Sequence, residues 1–148
     1  MEIRLTDNFY LSEFTKSETA DRLGINNTPP EYAINNLRRV AELLQVLRNK
    51  IGKPIIINSG YRSPELNARI GGAQNSDHMR GEAADIICPA FGTPQELARF
   101  ILASKVPFGQ LIWEGTWVHL SIREPDKAFN KVLTAKFVNG RATYTQGI

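Results

Sequence analysis

From Leu37 onward the chain sets apolar residues at Leu37, Val40, Ala41, Leu44, Leu47 and Ile51, with Arg38, Arg39, Glu42, Gln45 and Arg48 falling mostly between them. Three-and-four spacing of this kind lines one face of a helix with hydrocarbon and commits that face to a core. Thr28-Pro29-Pro30-Glu31 supplies a start signal, with proline tolerated in the first turn, and Gly52 supplies a stop. Directly after it, Pro54-Ile55-Ile56-Ile57-Asn58 is short, apolar and β-branched, the pattern of a buried strand.

The remaining elements follow from local signals. Residues 1–27 read as an irregular lead-in with one short helix, capped through Thr15-Lys16-Ser17-Glu18 and stopped at Gly24. Ser63-Pro64-Glu65 caps a short helix that ends at Gly71-Gly72. Glu82 to Ile87 reads as a strand with Asp85 in its middle. Thr93-Pro94-Gln95-Glu96 is a further capping box, leading into a helix through Leu97, Phe100, Ile101 and Ser104 that Pro107 closes. Gly109 to Glu114 and Trp117 to Ile122 form a hairpin across Gly115-Thr116, and Lys131 to Val138 and Arg141 to Thr145 form another around Asn139-Gly140. Helices come mainly first and antiparallel strands mainly last, which argues an α+β fold. No repeat, low-complexity segment or linker divides the chain, so residues 1–148 are expected to form a single domain.

Composition narrows the function classes. The net charge of +3 is not gathered on any predicted face, so nucleic acid is not expected as a partner. No apolar run approaches a membrane span, and Met1 to Asp7 lacks the apolar core of a signal peptide. With one cysteine, Cys88, no intramolecular disulfide is possible. Cys88 is expected to be a packed thiol, because there is no third histidine to serve it as a base.

The chemistry concentrates in Ser76-Asp77-His78-Met79-Arg80-Gly81-Glu82-Ala83-Ala84-Asp85 and in Trp117-Val118-His119, which hold both histidines of the chain. Two imidazoles and a carboxylate are the donor set of a catalytic zinc whose fourth position is left to water. His119 lies between Val118 and Leu120, so its side chain points away from theirs; Trp117 is expected off the His119 face. A carboxylate at Asp85 in the middle of a strand has to be paired, hydrogen-bonded or metal-bound. Gly81 lets the connection fold His78 and Asp85 toward one point. Glu114, across the short hairpin from His119, is the candidate general base, and Arg62, after the first strand, the candidate cation for an oxyanion or a substrate carboxylate. The bland readings are a solvated turn residue at Glu114 and a surface ion pair at Arg62.

Ser59-Gly60-Tyr61-Arg62-Ser63, Asn67, Gly71-Gly72-Ala73, Ser76, His78, Gly81, Ala83, Asp85 and Trp117-Val118-His119 together closely resemble peptidase family M15, over about Leu11 to Ile122. These are zinc D-Ala-D-Ala carboxypeptidases and peptidoglycan endopeptidases, phage endolysins among them. The hedgehog signalling domain shares their fold and zinc site. Ser12-Glu13-Phe14 and Asn27-Thr28-Pro29-Pro30 look like the short single-domain bacterial and phage branch. The resemblance implies a central antiparallel sheet carrying one Zn2+, with His78, Asp85 and His119 as ligands. It implies Arg62 as the residue that holds the substrate's carbonyl oxygen or carboxylate, and Ser76 as a site residue. One of Trp113 and Trp117 is core and the other lines the cleft, and Trp117 is taken as the substrate residue. Many members carry the acidic base three residues before the last histidine, where this chain has Thr116; Glu114, five before, is read as the base.

The implied substrate is a peptidoglycan stem peptide, cut as a carboxypeptidase or as an endopeptidase by a monomer. Made in the cytoplasm, the protein would act on the wall after release or delivery. Loop residues 89–95 and 123–130 are expected to shape the far end of the cleft. The competing reading is a hedgehog-like zinc module that recognises wall or protein without cutting.

Overall fold

The computed structural model describes residues 2–124 and 129–148. Five helices and six strands are named here: α1 (Leu11–Thr15), α2 (Glu18–Leu23), α3 (Glu31–Ile51), β1 (Ile56–Ser59), α4 (Pro64–Arg69), β2 (Ala83–Ile87), α5 (Pro94–Ser104), β3 (Gln110–Trp113), β4 (Val118–Ser121), β5 (Lys131–Val138) and β6 (Arg141–Gln146). A single turn of 3-10 helix, Asp77–Arg80, lies between α4 and β2. The fold is α+β, as the sequence implies, with one six-stranded sheet in the order β1-β2-β4-β3-β5-β6.

The helix α3 buries Ala33, Leu37, Val40, Ala41, Leu44 and Leu47 and stops at Gly52 in the left-handed conformation. Its stripe joins α5, through Leu97, Ala98 and Ile101, against Ile57, Ala84, Ile86, Leu111, Val118 and Leu120 of the sheet. Each buried leucine removes enough apolar surface from water to stabilise the fold by roughly 2 kcal/mol. Cys88 sits in the same core, its Sγ 3.1 Å from the Pro54 carbonyl, as a packed thiol. Alternation along the strands sends the intervening residues to the opposite face, where they line the cleft.

Several boundaries differ from the sequence reading. The lead-in holds two short helices. Thr15 ends the first, and Ser17 caps the second by accepting from the Ala20 N–H. Thr28 does not cap α3; Pro30 occupies that position, where the paired prolines supply no side-chain acceptor. The first strand begins two residues later than Pro54, and α5 ends at Lys105 in the left-handed conformation, before Pro107 is reached. The sheet has one parallel pair, β3 with β5. Because β3 and β4 form a hairpin, β4 ends where β3 begins, and the chain emerging from it re-enters the sheet beside β3 running the same way.

Candidate metal centre and its cleft

Three elements bring the histidines and the aspartate together. Ser76 caps the 3-10 turn, its hydroxyl accepting from the His78 N–H at 3.2 Å. Gly81 ends that turn at φ +72, and a Cβ there would lie 2.5 Å from the Ala33 carbonyl oxygen of α3. Only glycine permits both the conformation and the approach. The chain then enters β2, where Asp85 pairs directly with His119 of β4.

The result is tight. His78 Nε2 lies 3.2 Å from Asp85 Oδ1, and His119 Nδ1 lies 3.1 Å from the same oxygen. The two imidazole rings meet edge to face at 5.1 Å between centroids. All three residues are buried. His78 Nδ1 is 2.7 Å from the Gly60 carbonyl oxygen. A carbonyl only accepts, so Nδ1 carries a proton; in the neutral ring Nε2 then presents its lone pair to the cluster, and in the protonated ring it donates to Asp85. Gly60 itself is a close approach, since a Cβ there would fall 2.5 Å from the Phe14 carbonyl oxygen. The protonation energetics agree with the geometry. Burial works to raise the Asp85 carboxyl, but the charge of His78 and the hydrogen bonds of both histidines outweigh it and hold that carboxyl well below the usual carboxylate range. Burial likewise works to lower His119, yet the Asp85 carboxylate beside it raises its pKa overall.

The donor set fits a divalent metal. Ligand atoms of a tetrahedral zinc with bonds near 2.0 Å sit about 3.3 Å apart, close to the 3.1 and 3.2 Å separations found here. Among the described residues this is the one group of three such side chains whose ligand atoms lie within 4.8 Å of one another.

Around the cluster runs a cleft of about 1130 Å3 that also takes in Arg62, Ser76, Glu114 and Trp117. The Arg62 backbone N–H donates to the His78 carbonyl at 3.0 Å, which ties the arginine to the histidine segment. Its Nε–H is buried with no hydrogen-bond partner among the described residues. Burial lowers the guanidinium pKa against the opposing charges of Asp85 and Glu114. Glu114 stands at the hairpin, where its Oε1 accepts from Trp117 Nε1 at 2.9 Å.

Two expectations about the cleft need correction. Trp117 was expected off the His119 face, yet both line the cleft, because residues two apart on an extended segment share a face. Trp113, four residues earlier, packs against the helix-covered core instead. Residues 89–95 do not line the cleft, and of 123–130 neither 123–124 nor 129–130 does; residues 125–128 lie outside the described residues. The far end is built by Ile70–Ala73 and by β5 and β6.

Some positioning residues carry no chemical signature of their own. Asn27 donates through Nδ2 to the Thr15 and Tyr61 carbonyls at 2.9 and 3.1 Å and accepts from the Ser63 N–H at 2.8 Å, clamping the segment that carries Arg62. The Gly60 carbonyl is invisible to a search for reactive side chains. On the hairpin, Phe137 and Tyr144 read only as strand residues.

Comparison with known proteins agrees with this geometry. The sequence pattern of the Peptidase M15 family matches residues 7–121. The chain belongs to that family. The zinc D-Ala-D-Ala carboxypeptidase of Streptomyces albus G is 52% identical over 44 residues. That stretch is 29% of this chain and 17% of the relative, so the chain covers well under two thirds of that relative's length.

Proposed function

We propose that this M15 member is a zinc peptidase that hydrolyses the D-alanyl-D-alanine end of peptidoglycan stem peptides. The observation that carries the reading is one cleft holding the His78-Asp85-His119 cluster, an unpartnered buried Arg62 Nε–H and the Glu114 carboxylate. His78 through Nε2, Asp85 through its carboxylate and His119 through Nδ1 would hold one zinc ion. Bound there, zinc supplies Lewis acidity that makes water a nucleophile near neutral pH.

The other groups do the remaining work. Glu114 takes a proton from the attacking water and returns it to the leaving amine. The Trp117 N–H steadies that carboxylate in one orientation while leaving its second oxygen to work. Arg62 donates to the substrate's carbonyl oxygen or terminal carboxylate, which gives its desolvated N–H the partner it lacks. Ser76 acts at one remove by fixing the His78 backbone. Trp117 forms part of the substrate wall.

Cutting at an internal bond, as a lysin would, is the second reading. The cleft lining favours it: the wall runs along Ile70–Ala73 as well as along β5 and β6, so substrate on both sides of the scissile bond has surface to lie against. The test is digestion of defined muropeptides by zinc-loaded protein, read by mass spectrometry beside Glu114→Gln. Loss of a single terminal D-alanine by the wild type, with kcat in the variant lower by about a hundredfold or more and zinc retained, is the expected result. Cleavage at an internal bond selects the lysin reading. Equal turnover in the variant removes Glu114 as base. No cleavage by zinc-loaded wild type leaves a module that recognises wall without cutting.

A further inference from the structure

The stretch that carries the family pattern ends at residue 121, but the cleft does not end there. The hairpin of β5 and β6 lies wholly beyond that stretch and sends Leu133, Phe137, Tyr144 and Gln146 into the same cleft as the metal cluster. Strand register explains the continuity. Asp85 pairs with His119, His119 with Ile112, Ile112 with Leu133, and Leu133 with Gln146. These five side chains form one straight row across the open face. From His119 to Gln146 the row spans three strand spacings, about 14 Å, the reach of about four extended residues.

A second row runs beside it. Ala135 pairs with Tyr144, and continuing the β3–β5 register by one residue sets Glu114 beside Ala135. A methyl between two long side chains makes a trough. Tyr144 senses the carboxylate across it: burial raises the phenol pKa first, and the Glu114 charge raises it further. The trough's floor is a separate buried cluster of Ile112, Leu133 and Ala135. One lip is aromatic, with Phe137 packed on Trp117 at 6.4 Å and both Phe137 and Tyr144 more than half exposed, at 54% and 53%. Polar Gln110 and Lys131 stand at the other side. An apolar floor, an aromatic lip and a polar lip that run straight out of a peptidase-type centre suit an extended peptide, whose amides face the polar side and whose carbon faces the aromatic side.

We propose that the β5–β6 hairpin holds the part of the substrate upstream of its D-alanyl-D-alanine end: a peptide of about four extended residues lies across the strands from His119 toward Gln146, under Phe137 and Tyr144. This rests on the peptidase reading of the metal centre. Phe137 and Tyr144 are specificity residues that act on binding and on preference for substrate length.

The test compares two substrates with the same D-alanyl-D-alanine end, an acylated dipeptide and a pentapeptide, on the zinc-loaded protein. Wild type is expected to favour the longer one through KM. Tyr144→Ala should raise KM for the pentapeptide about threefold, and the Phe137→Ala/Tyr144→Ala pair about tenfold, a loss of about 1.4 kcal/mol, so that the preference for length disappears. Val138→Ala, equally exposed on the hairpin's other face, should leave the preference intact. Calorimetric binding of the pentapeptide to Glu114→Gln, with and without the two hairpin substitutions, supplies a readout that does not need cleavage. An unchanged length preference in the double variant overturns the proposal, as does an equal loss on both substrates. Cleavage with unchanged preference defeats the hairpin proposal alone. Binding that weakens in the double variant, from a protein that never cuts, upholds the hairpin and defeats the peptidase reading. Binding of neither peptide defeats both. A peptide-free N-acetylated disaccharide that binds wild type but not the double variant would make the platform a sugar site and overturn the proposal.

Discussion

The two ends of the sheet are built on opposite terms. At the β2–β4 end the histidine that anchors the cluster is fixed several times over. His78 is held by a hydroxyl on its N–H, a carbonyl on its Nδ1 and a carboxylate at its Nε2. At the β5–β6 end the outer strand is exposed along its whole length, and the hairpin joins the rest of the sheet through β3 alone. The first arrangement suits a constellation whose spacing must hold to a few tenths of an ångström. The second suits a surface that meets a ligand of variable composition. Precision and adaptability are thus separated along one sheet, about 14 Å apart.

The contrast can be broken most decisively at Asp85. Replacing it with alanine should abolish stoichiometric zinc and cut muropeptide hydrolysis by about a thousandfold or more, read by metal analysis and turnover. Retained metal at normal affinity would mean that the two histidines suffice and that the cluster is less interdependent than its geometry implies. Next in size is Gly60→Ala, which drives a Cβ against the Phe14 backbone and displaces the carbonyl that orients His78. We expect a cost of about 3 kcal/mol, read by denaturant unfolding. At the other end of the sheet, Tyr144→Ala should move stability by no more than about 0.5 kcal/mol. Equal costs at the two ends would erase the distinction.

A gentler probe is pH. Metal binding needs both imidazoles unprotonated, and the Asp85 carboxylate raises the His119 pKa above that of an ordinary histidine despite burial. Protons therefore compete from a higher pH than usual. Zinc affinity, titrated against a competing dye, should be lost as pH falls through the raised His119 value, by about tenfold per unit below it. Affinity that stays flat down to the ordinary histidine range would show that Asp85 does not govern His119.

How much of this was legible in the sequence depends on the range of the signal. The α3 stripe, the Thr93 cap and the Asn139-Gly140 turn are local patterns, and each appears where the residues put it. The cluster of three side chains was legible because His78 and Asp85 are close in sequence and the chain has only one other histidine. The β3–β5 pairing was not, because nothing in Lys131 to Val138 says which strand it will lie beside; that follows from where β4 leaves off. The far wall of the cleft was misassigned to residues 89–95, 123–124 and 129–130 for the same reason. Trp117 was misplaced by a slip of register, since a shift of one residue along a strand reverses the face.

The single seam between β3 and β5 has a consequence for how such a protein can change over generations. β3 contributes none of the three metal-cluster residues; they come from the 3-10 turn, β2 and β4. A hairpin of new length or composition could be grafted after residue 130 and would meet the strands that carry the cluster only across β3, whose paired positions are Gln110 to Trp113. Inheritance can therefore rewrite the outer wall of the cleft while leaving the His78-Asp85-His119 cluster in place.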